Sequence, residues 1–318
     1  PACLCIVTNP ANYVYSIVEI NTANPLGIVL DIGNVDTGAG ITTYTKYLKD
    51  SSNTKIENNL SYGSLTITKN NLDNEYWLIA QSKNKLLSYK INNLGLNVIP
   101  IESNFSSNQI FSPGTQDPDT GNSRSKFKVS SDNQFLVGMQ KQAITVNDPP
   151  QNTGYFYRVN FDSSTGLFTN YQQFYGGMNI RDFELASNSN NAIYIRGLNS
   201  PLGQQEGEIL VKDLINLSTN PRLLNENATS TVSSKFTYLQ KDRHGNLLVS
   251  SYSTDLNKNK YIHRISNQNS FASSYVETNF VYLNNYTIDV LPQVIPELIA
   301  LPSCSLTPLT LNSETNTG

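Results

Sequence analysis

What this 318-residue chain has little of narrows its chemistry first. It carries two histidines, three cysteines, two methionines and one tryptophan, and charged residues make up only 15% of it. The net charge is −3 and the 22 basic residues are scattered, so the basic stripe expected of a nucleic-acid binder is missing. No apolar run approaches the roughly 20 residues of a membrane-spanning helix. The nearest, from Val290 to Leu301, is broken by Pro292 and Pro296. No Gly-x-Ser-x-Gly elbow, His-Glu-x-x-His, phosphate loop or Cys-x-x-Cys motif occurs. Amphipathic helices of three turns are also lacking, the closest approach being Val211 to Leu217.

What is present is a repeat. A Ser/Asn/Asp-rich turn leads into an apolar strand-like run, then a spacer, then a second run with alternating aromatics and a further polar turn. Asn71-Leu72-Asp73-Asn74 precedes Tyr76-Trp77-Leu78-Ile79-Ala80, and Ser130-Ser131-Asp132-Asn133 precedes Gln134-Phe135-Leu136-Val137-Gly138. Asn188-Ser189-Asn190-Asn191 precedes Ala192-Ile193-Tyr194-Ile195, and Asp242-Arg243-His244-Gly245-Asn246 precedes Leu247-Leu248-Val249-Ser250. In Tyr155-Phe156-Tyr157-Arg158-Val159-Asn160-Phe161 the odd positions share one face of an extended chain and the even positions the other. A spacing of roughly 50 residues suits a propeller blade of about four strands. The expectation is an all-β fold, a β-propeller of five to seven four-stranded blades, with residues 1–303 as a single domain and 304–318 as a tail or linker.

The two ends of the chain suggest how such a ring closes. Tyr13 to Ile20, the turn Asn21 to Asn24, and Leu26 to Leu30 read as the second half of a blade, and Thr287-Ile288-Asp289-Val290-Leu291 reads as a strand with no partner after it. Pairing them would let the C-terminal strand complete the first blade and remove exposed sheet edges. Cys304 lies near one end, and Cys3 and Cys5 lie on one face of a strand at the other. One disulfide, between Cys304 and Cys3 or Cys5, would then close the ring, with a loop-entropy contribution of about 4–5 kcal/mol in the chain-entropy account. Such a bond belongs to an oxidising compartment.

Function is expected in what interrupts the repeat, because loops held on a rigid scaffold carry most binding residues. Three long inserts qualify: Ser106 to Ser125, Thr145 to Gly154, and Gly197 to Gly207. Asn147, Asp148, Tyr155, Gln204 and Gln205 are the binding-loop candidates. Asp117 and Asp119, in Asp117-Pro118-Asp119-Thr120-Gly121-Asn122, are the candidate pair for a calcium ion. The order Gly-Asn and the lack of a following Glu depart from a calcium loop, so a surface turn is the default. No other cofactor is implied. His244 occupies a turn and His263 alternates with Tyr261 and Ile265 on a strand, which favours structural roles for both. Carboxylates near strands that could meet at a central channel are Glu19, Glu75, Asp182, Glu184, Glu208 and Asp289.

The last repeat carries a family likeness. Asp242 to Ser250, followed by Tyr261-Ile262-His263-Arg264-Ile265-Ser266-Asn267-Gln268-Asn269-Ser270-Phe271 and by Leu291-Pro292-Gln293-Val294-Ile295, resembles the closing blade of surface propellers from Bacteroidetes. Those read as a Pro-Asp-Gly-Lys-like turn, an Ile-Tyr-Val-Ala strand, an Ile-Asn-Asn-Pro-Asn turn and a Leu-Pro-Gln-Phe ending. His244 stands where that family carries Asp. The resemblance implies a WD40-like propeller exported to the cell surface, of the kind attached to type IX secretion or gliding-associated modules. It implies no activity.

The sequence therefore points to a non-catalytic exported recognition or structural module on a cell surface, appendage or virion. It would bind protein or glycan through its loops, within a larger surface assembly, with no nucleic acid and no membrane span. The alternative is a hydrolase or lyase with carboxylates in the central channel. Thiol titration tests the closure: the native protein should show one free thiol before reduction and three after it, and three free thiols in the unreduced protein would refute the disulfide.

Overall fold

The computed structural model describes the backbone of residues 2–9, 12–21 and 24–31. It further describes residues 48–53, 65–70, 75–82, 85–92, 95–106, 126–141, 154–178, 180–197, 207–226, 235–242, 244–252 and 261–283. Among these residues every regular element is a β-strand. The segment Val211 to Leu217 is the end of a strand and a turn, and the buried Lys212 ammonium closes that turn by donating to the carbonyls of Leu217 and Thr219.

The N-terminal repeat is a three-stranded antiparallel meander of β1 (Ala2–Asn9), β2 (Asn12–Asn21) and β3 (Asn24–Asp31). Four larger sheets follow, and they are the blades of a propeller. Blade 1 holds β4 (Leu65–Lys69), β5 (Tyr76–Ser82) and β6 (Lys85–Asn92), with β7 (Gly95–Leu96) and β8 (Ile101–Asn104) both paired to β6. Blade 2 holds β9 (Lys126–Val129), β10 (Phe135–Lys141), β11 (Gly154–Asp162) and β12 (Leu167–Met178). Blade 3 holds β13 (Ile180–Leu185), β14 (Asn191–Gly197), β15 (Gly207–Asp213) and β16 (Arg222–Leu223). Blade 4 holds β17 (Lys235–Lys241), β18 (Leu247–Tyr252), β19 (Tyr261–Ser266) and β20 (Tyr275–Tyr282). Every pairing within a blade is antiparallel. β4 touches β9, β9 touches β13 and β13 touches β17, so the first strand of each blade is the innermost.

Strand alternation explains how the blades hold together. The innermost strands turn Phe127, Phe183 and Leu185, and Phe236 and Leu239 back toward the preceding blade. Between blades 1 and 2, Trp77, Ile79 and Leu86 meet Tyr155, Tyr157, Val159 and Phe161. The even face of β11 goes the other way: Phe156 enters the core with blade 3, edge-on to Phe183 and Tyr194 at 5.3 Å each. Space in these seams is tight. Gly138 faces Tyr157 in register, and a Cβ there would lie 2.0 Å from the Tyr157 ring. The outward face of blade 1 has its own core, in which Leu48 packs with Ile67, Leu78, Ala80, Leu87 and Tyr89.

Polar turns at one end of the blades bond to one another. Asn133 Nδ2 donates to Lys69 O at 3.1 Å, Ser131 N to Ser189 Oγ at 2.7 Å, and Ser187 Oγ to Gly245 O at 2.9 Å. These bonds link the turns after β4, β9, β13 and β17 in a row, so all four lie on the same face. The Ser/Asn/Asp composition fits the geometry: Asn133, Ser189 and Gly245 hold φ of 57°, 58° and 81°, a region that Asn and Gly enter most easily. The turns after the third strands join this face, with Trp77 Nε1 donating to Ser163 O and Asn191 Nδ2 to Gln268 O.

Two expectations change. The described residues form four blades, fewer than the five to seven expected. The larger number counted the N-terminal repeat, which forms a three-stranded sheet, and the stretch 41–67, whose described part is residues 48–53 and the inner strand of blade 1. The expected pairing of Thr287 to Leu291 lies outside the described residues, as does Cys304. Cys3 and Cys5 sit two apart in β1, opposite Val18 and Ser16 of β2.

Candidate functional site

Because each blade is an antiparallel meander, the connections alternate between two faces. The short turns occupy one, so the second strands end, the third strands begin, and successive blades are joined on the other. All three long inserts leave from that second face. Residues 107–125 join blades 1 and 2, 142–153 lie between β10 and β11, and 198–206 lie between β14 and β15. Asp117, Asp119, Asn147, Asp148, Gln204 and Gln205 lie outside the described residues, while the strand ends that flank them converge on this insert face. Tyr155 does not belong to a loop. It is the second residue of β11, only 8% exposed, and packs in the core between blades 1 and 2.

The axis carries a ladder of charge. On β9, Lys126 and Lys128 alternate with the core residues Phe127 and Val129. On β13, Asp182 and Glu184 alternate with Phe183 and Leu185. Period-two alternation puts each pair on one face, and neighbouring innermost strands bring the two pairs together. Lys126 Nζ lies 2.7 Å from Asp182 Oδ1, and Lys128 Nζ lies 2.9 Å from Glu184 Oε2. The other oxygen of Asp182 accepts the Leu239 N–H of β17 at 2.8 Å, so this carboxylate bridges three blades.

Burial pushes the Glu184 carboxyl up, but the Lys128, Lys126 and Lys241 charges outweigh it and hold the group below the usual range. Burial likewise disfavours the Lys126 ammonium, and the Asp182 and Glu184 charges more than restore it. Glu184 is therefore an anion at neutral pH, suited to anchoring a lysine and unsuited to donating a proton. Asp182 and Glu184 were visible in the sequence as acidic residues near strands. Their lysine partners were missed, although the matching period-two charges of Lys-Phe-Lys-Val and Asp-Phe-Glu-Leu carried the signal. Of the other carboxylates, Glu75 pairs with Lys90 at 2.7 Å and Glu208 with Arg196.

Both histidines have the structural settings expected of them. The His244 N–H donates to Asp242 Oδ1 at 2.8 Å within the turn. His263 is buried in the core between blades 3 and 4, edge-on to Phe236 at 5.5 Å. Its Nδ1 accepts the Asn279 N–H at 3.1 Å, which leaves Nε2–H to donate to Ser251 Oγ at 3.0 Å.

No family model and no curated protein matches the chain. Among solved structures it is similar to a luciferin-regenerating enzyme, with a TM-score of 0.38 and 15% identity over 69% of this chain and 62% of that one. It is also similar to the hydrazine synthase of Kuenenia stuttgartiensis, with a TM-score of 0.37 and 9% identity over 73% and 65%. A third is the xylan β-1,4-xylosidase of Bacillus halodurans C-125, with a TM-score of 0.38 and 9% identity over 95% and 56%. The chain thus spans less than two thirds of each of these proteins. Likenesses this distant carry no argument about activity.

Burial lowers the His263 pKa from 6.5 to about 4. As pH falls below 6.5 the unfolded chain takes up a proton that the folded chain refuses, so stability present at neutral pH drains away toward pH 4. The shift corresponds to at most about 3 kcal/mol. Urea unfolding should show the wild type losing about 2–3 kcal/mol more between pH 7.5 and 4.5 than His263→Gln does. Equal losses in the two proteins would contradict this assignment.

Proposed function

We propose that the protein is a non-catalytic recognition module that binds protein or glycan through the insert face of its propeller. The observation that carries the reading is topological: every long interruption of the repeat leaves from one face, while the opposite face is occupied by short turns bonded to each other. Rigid sheets that present several variable loops together are a common basis for binding. The axial charges serve the scaffold in this account, since their amines and carboxylates satisfy each other across blade seams. Export to a cell surface, as the likeness of the closing blade implies, and ring closure through the terminal cysteines belong to the same proposal.

A second reading has one specific observation in its favour. Asp182 and Glu184 stand side by side on an innermost strand, as channel carboxylates of a hydrolase would. Glycoside hydrolysis needs one of the pair to be a protonated acid, and Glu184 is displaced in the wrong direction for that role. Glu226, at the junction of blades 3 and 4, is a carboxyl that burial does push up. A hydrolase would have to use it, or residues beyond those described, as the acid.

Binding of the wild type to arrays of immobilised glycans and proteins, compared with two variants, tests the recognition reading. Replacing residues 145–153 and 198–206 by Gly/Ser segments of equal length should abolish the wild-type signals and leave thermal unfolding nearly unchanged. The turn-face variant Asn216→Ala should bind as the wild type does. Retained binding in the insert variant, or turnover of chromogenic glycosides abolished by Asp182→Asn in a folded protein, would overturn the reading.

A further inference from the structure

The rim of blade 4 presents aromatic rings on the insert face. β19 begins there and β20 ends there, with Tyr261 directly opposite Tyr282 in register. Their ring centroids are 5.2 Å apart and the planes are tilted by 44°. Just before this pair β20 bulges: Ile262 pairs with Val281 and Arg264 with Glu277, so three residues of β20 stand against His263 alone. Asn279 takes the left-handed conformation at φ 58°, and its N–H is engaged by His263. Beyond the bulge, Phe280, Val281 and Tyr282 are 38%, 39% and 55% exposed.

This surface is ordered by its surroundings. The Arg264 guanidinium lies 4.0 Å from the Phe280 ring centroid and donates to Glu277 Oε2 at 3.0 and 2.7 Å. Ser266 Oγ donates to the same oxygen at 2.7 Å. The rings are thus displayed by paired strands, and little side-chain entropy remains to be lost when something covers them.

The size of the surface indicates its occupant. The exposed area of these aromatic and aliphatic side chains is roughly 300 Å². A stable protein–protein interface buries about 800 Å² on each partner. A sugar ring is closer in scale and matches in chemistry: its C–H face is apolar and fits an aromatic face, while its perimeter hydroxyls need donors and acceptors. The tyrosine hydroxyls, Arg264 and Glu277 supply both. We infer that the Tyr261–Tyr282 rim is a carbohydrate subsite that stacks the C–H face of a pyranose ring beside Phe280. The inference rests on the recognition reading and narrows its ligand from protein or glycan to glycan.

Titration calorimetry of the full chain with cellohexaose, xylohexaose, chitohexaose and mannohexaose tests it. At least one hexaose should bind the wild type. Tyr282→Ala should weaken that binding roughly tenfold, and Tyr282→Phe should keep it within about twofold. Thermal unfolding should not move in either variant, because the ring is more than half exposed. Absence of binding by all four hexaoses, or equal binding by Tyr282→Ala, overturns the inference. If Tyr282→Ala binds normally while the insert replacement binds nothing, the inserts hold the sugar, and the recognition reading stands without the rim. Capture of a protein by the insert face with no hexaose bound has the same consequence.

Discussion

A four-stranded sheet cannot bury its two faces by itself, and the architecture follows from that constraint. Each blade sends the apolar face of its innermost strand back to the blade before it and receives the next blade on the other side. The cores are consequently seams between blades. Trp77 with Tyr157, Phe156 with Phe183, and Ile193 with Leu247 each span a seam. At about 25 cal/mol per Å² of apolar area, burial of such rings is the main force holding the ring of sheets together. Polar groups then decide the registration. The turn-to-turn bonds on one face and the Lys126–Asp182 and Lys128–Glu184 pairs on the axis allow one stagger between neighbours, because a slip of one residue would leave buried charges unpaired.

That arrangement divides the molecule between structure and recognition. The turn face is used up in hydrogen bonds among Asn, Ser and Asp side chains. The axial ladder is used up in ion pairs, with Glu184 held ionised by three lysines. The insert face carries the sequence that does not repeat, together with the exposed Tyr282 at the end of an outer strand. A binding function at that face asks nothing of the buried charges, and a hydrolytic one would require them to give up the partners that fix the blades.

Much of the fold was legible because its signals are local. The alternation in Tyr155 to Phe161 specified a strand with two buried faces, and the polar turns before Phe135, Ala192 and Leu247 marked where inner strands end. The blade number was less legible. A strand signal says that a segment is extended, and it does not say whether the segment starts a new sheet or extends an old one, as β7 and β8 do by both pairing with β6. The site was legible only in outline. Reading the inserts as loops located the binding face, yet the placement of Tyr155 failed because its neighbour in sequence is an insert while its neighbours in space are Trp77 and Tyr157. The ion ladder depends on which strands are adjacent around the axis, a fact of topology that spacing along the chain does not contain.

The central claim is that the axial charges hold the blades in register and do no chemistry. A double-mutant cycle on Lys128 and Glu184, read by urea unfolding at neutral pH, tests it most directly. Lys128→Met and Glu184→Leu alone should each cost about 3–5 kcal/mol, because each strands a buried charge, and the double variant should recover most of that loss. Additive costs in the double variant, or a Glu184→Gln protein that is as stable as the wild type and has lost an enzymatic activity, would contradict the account.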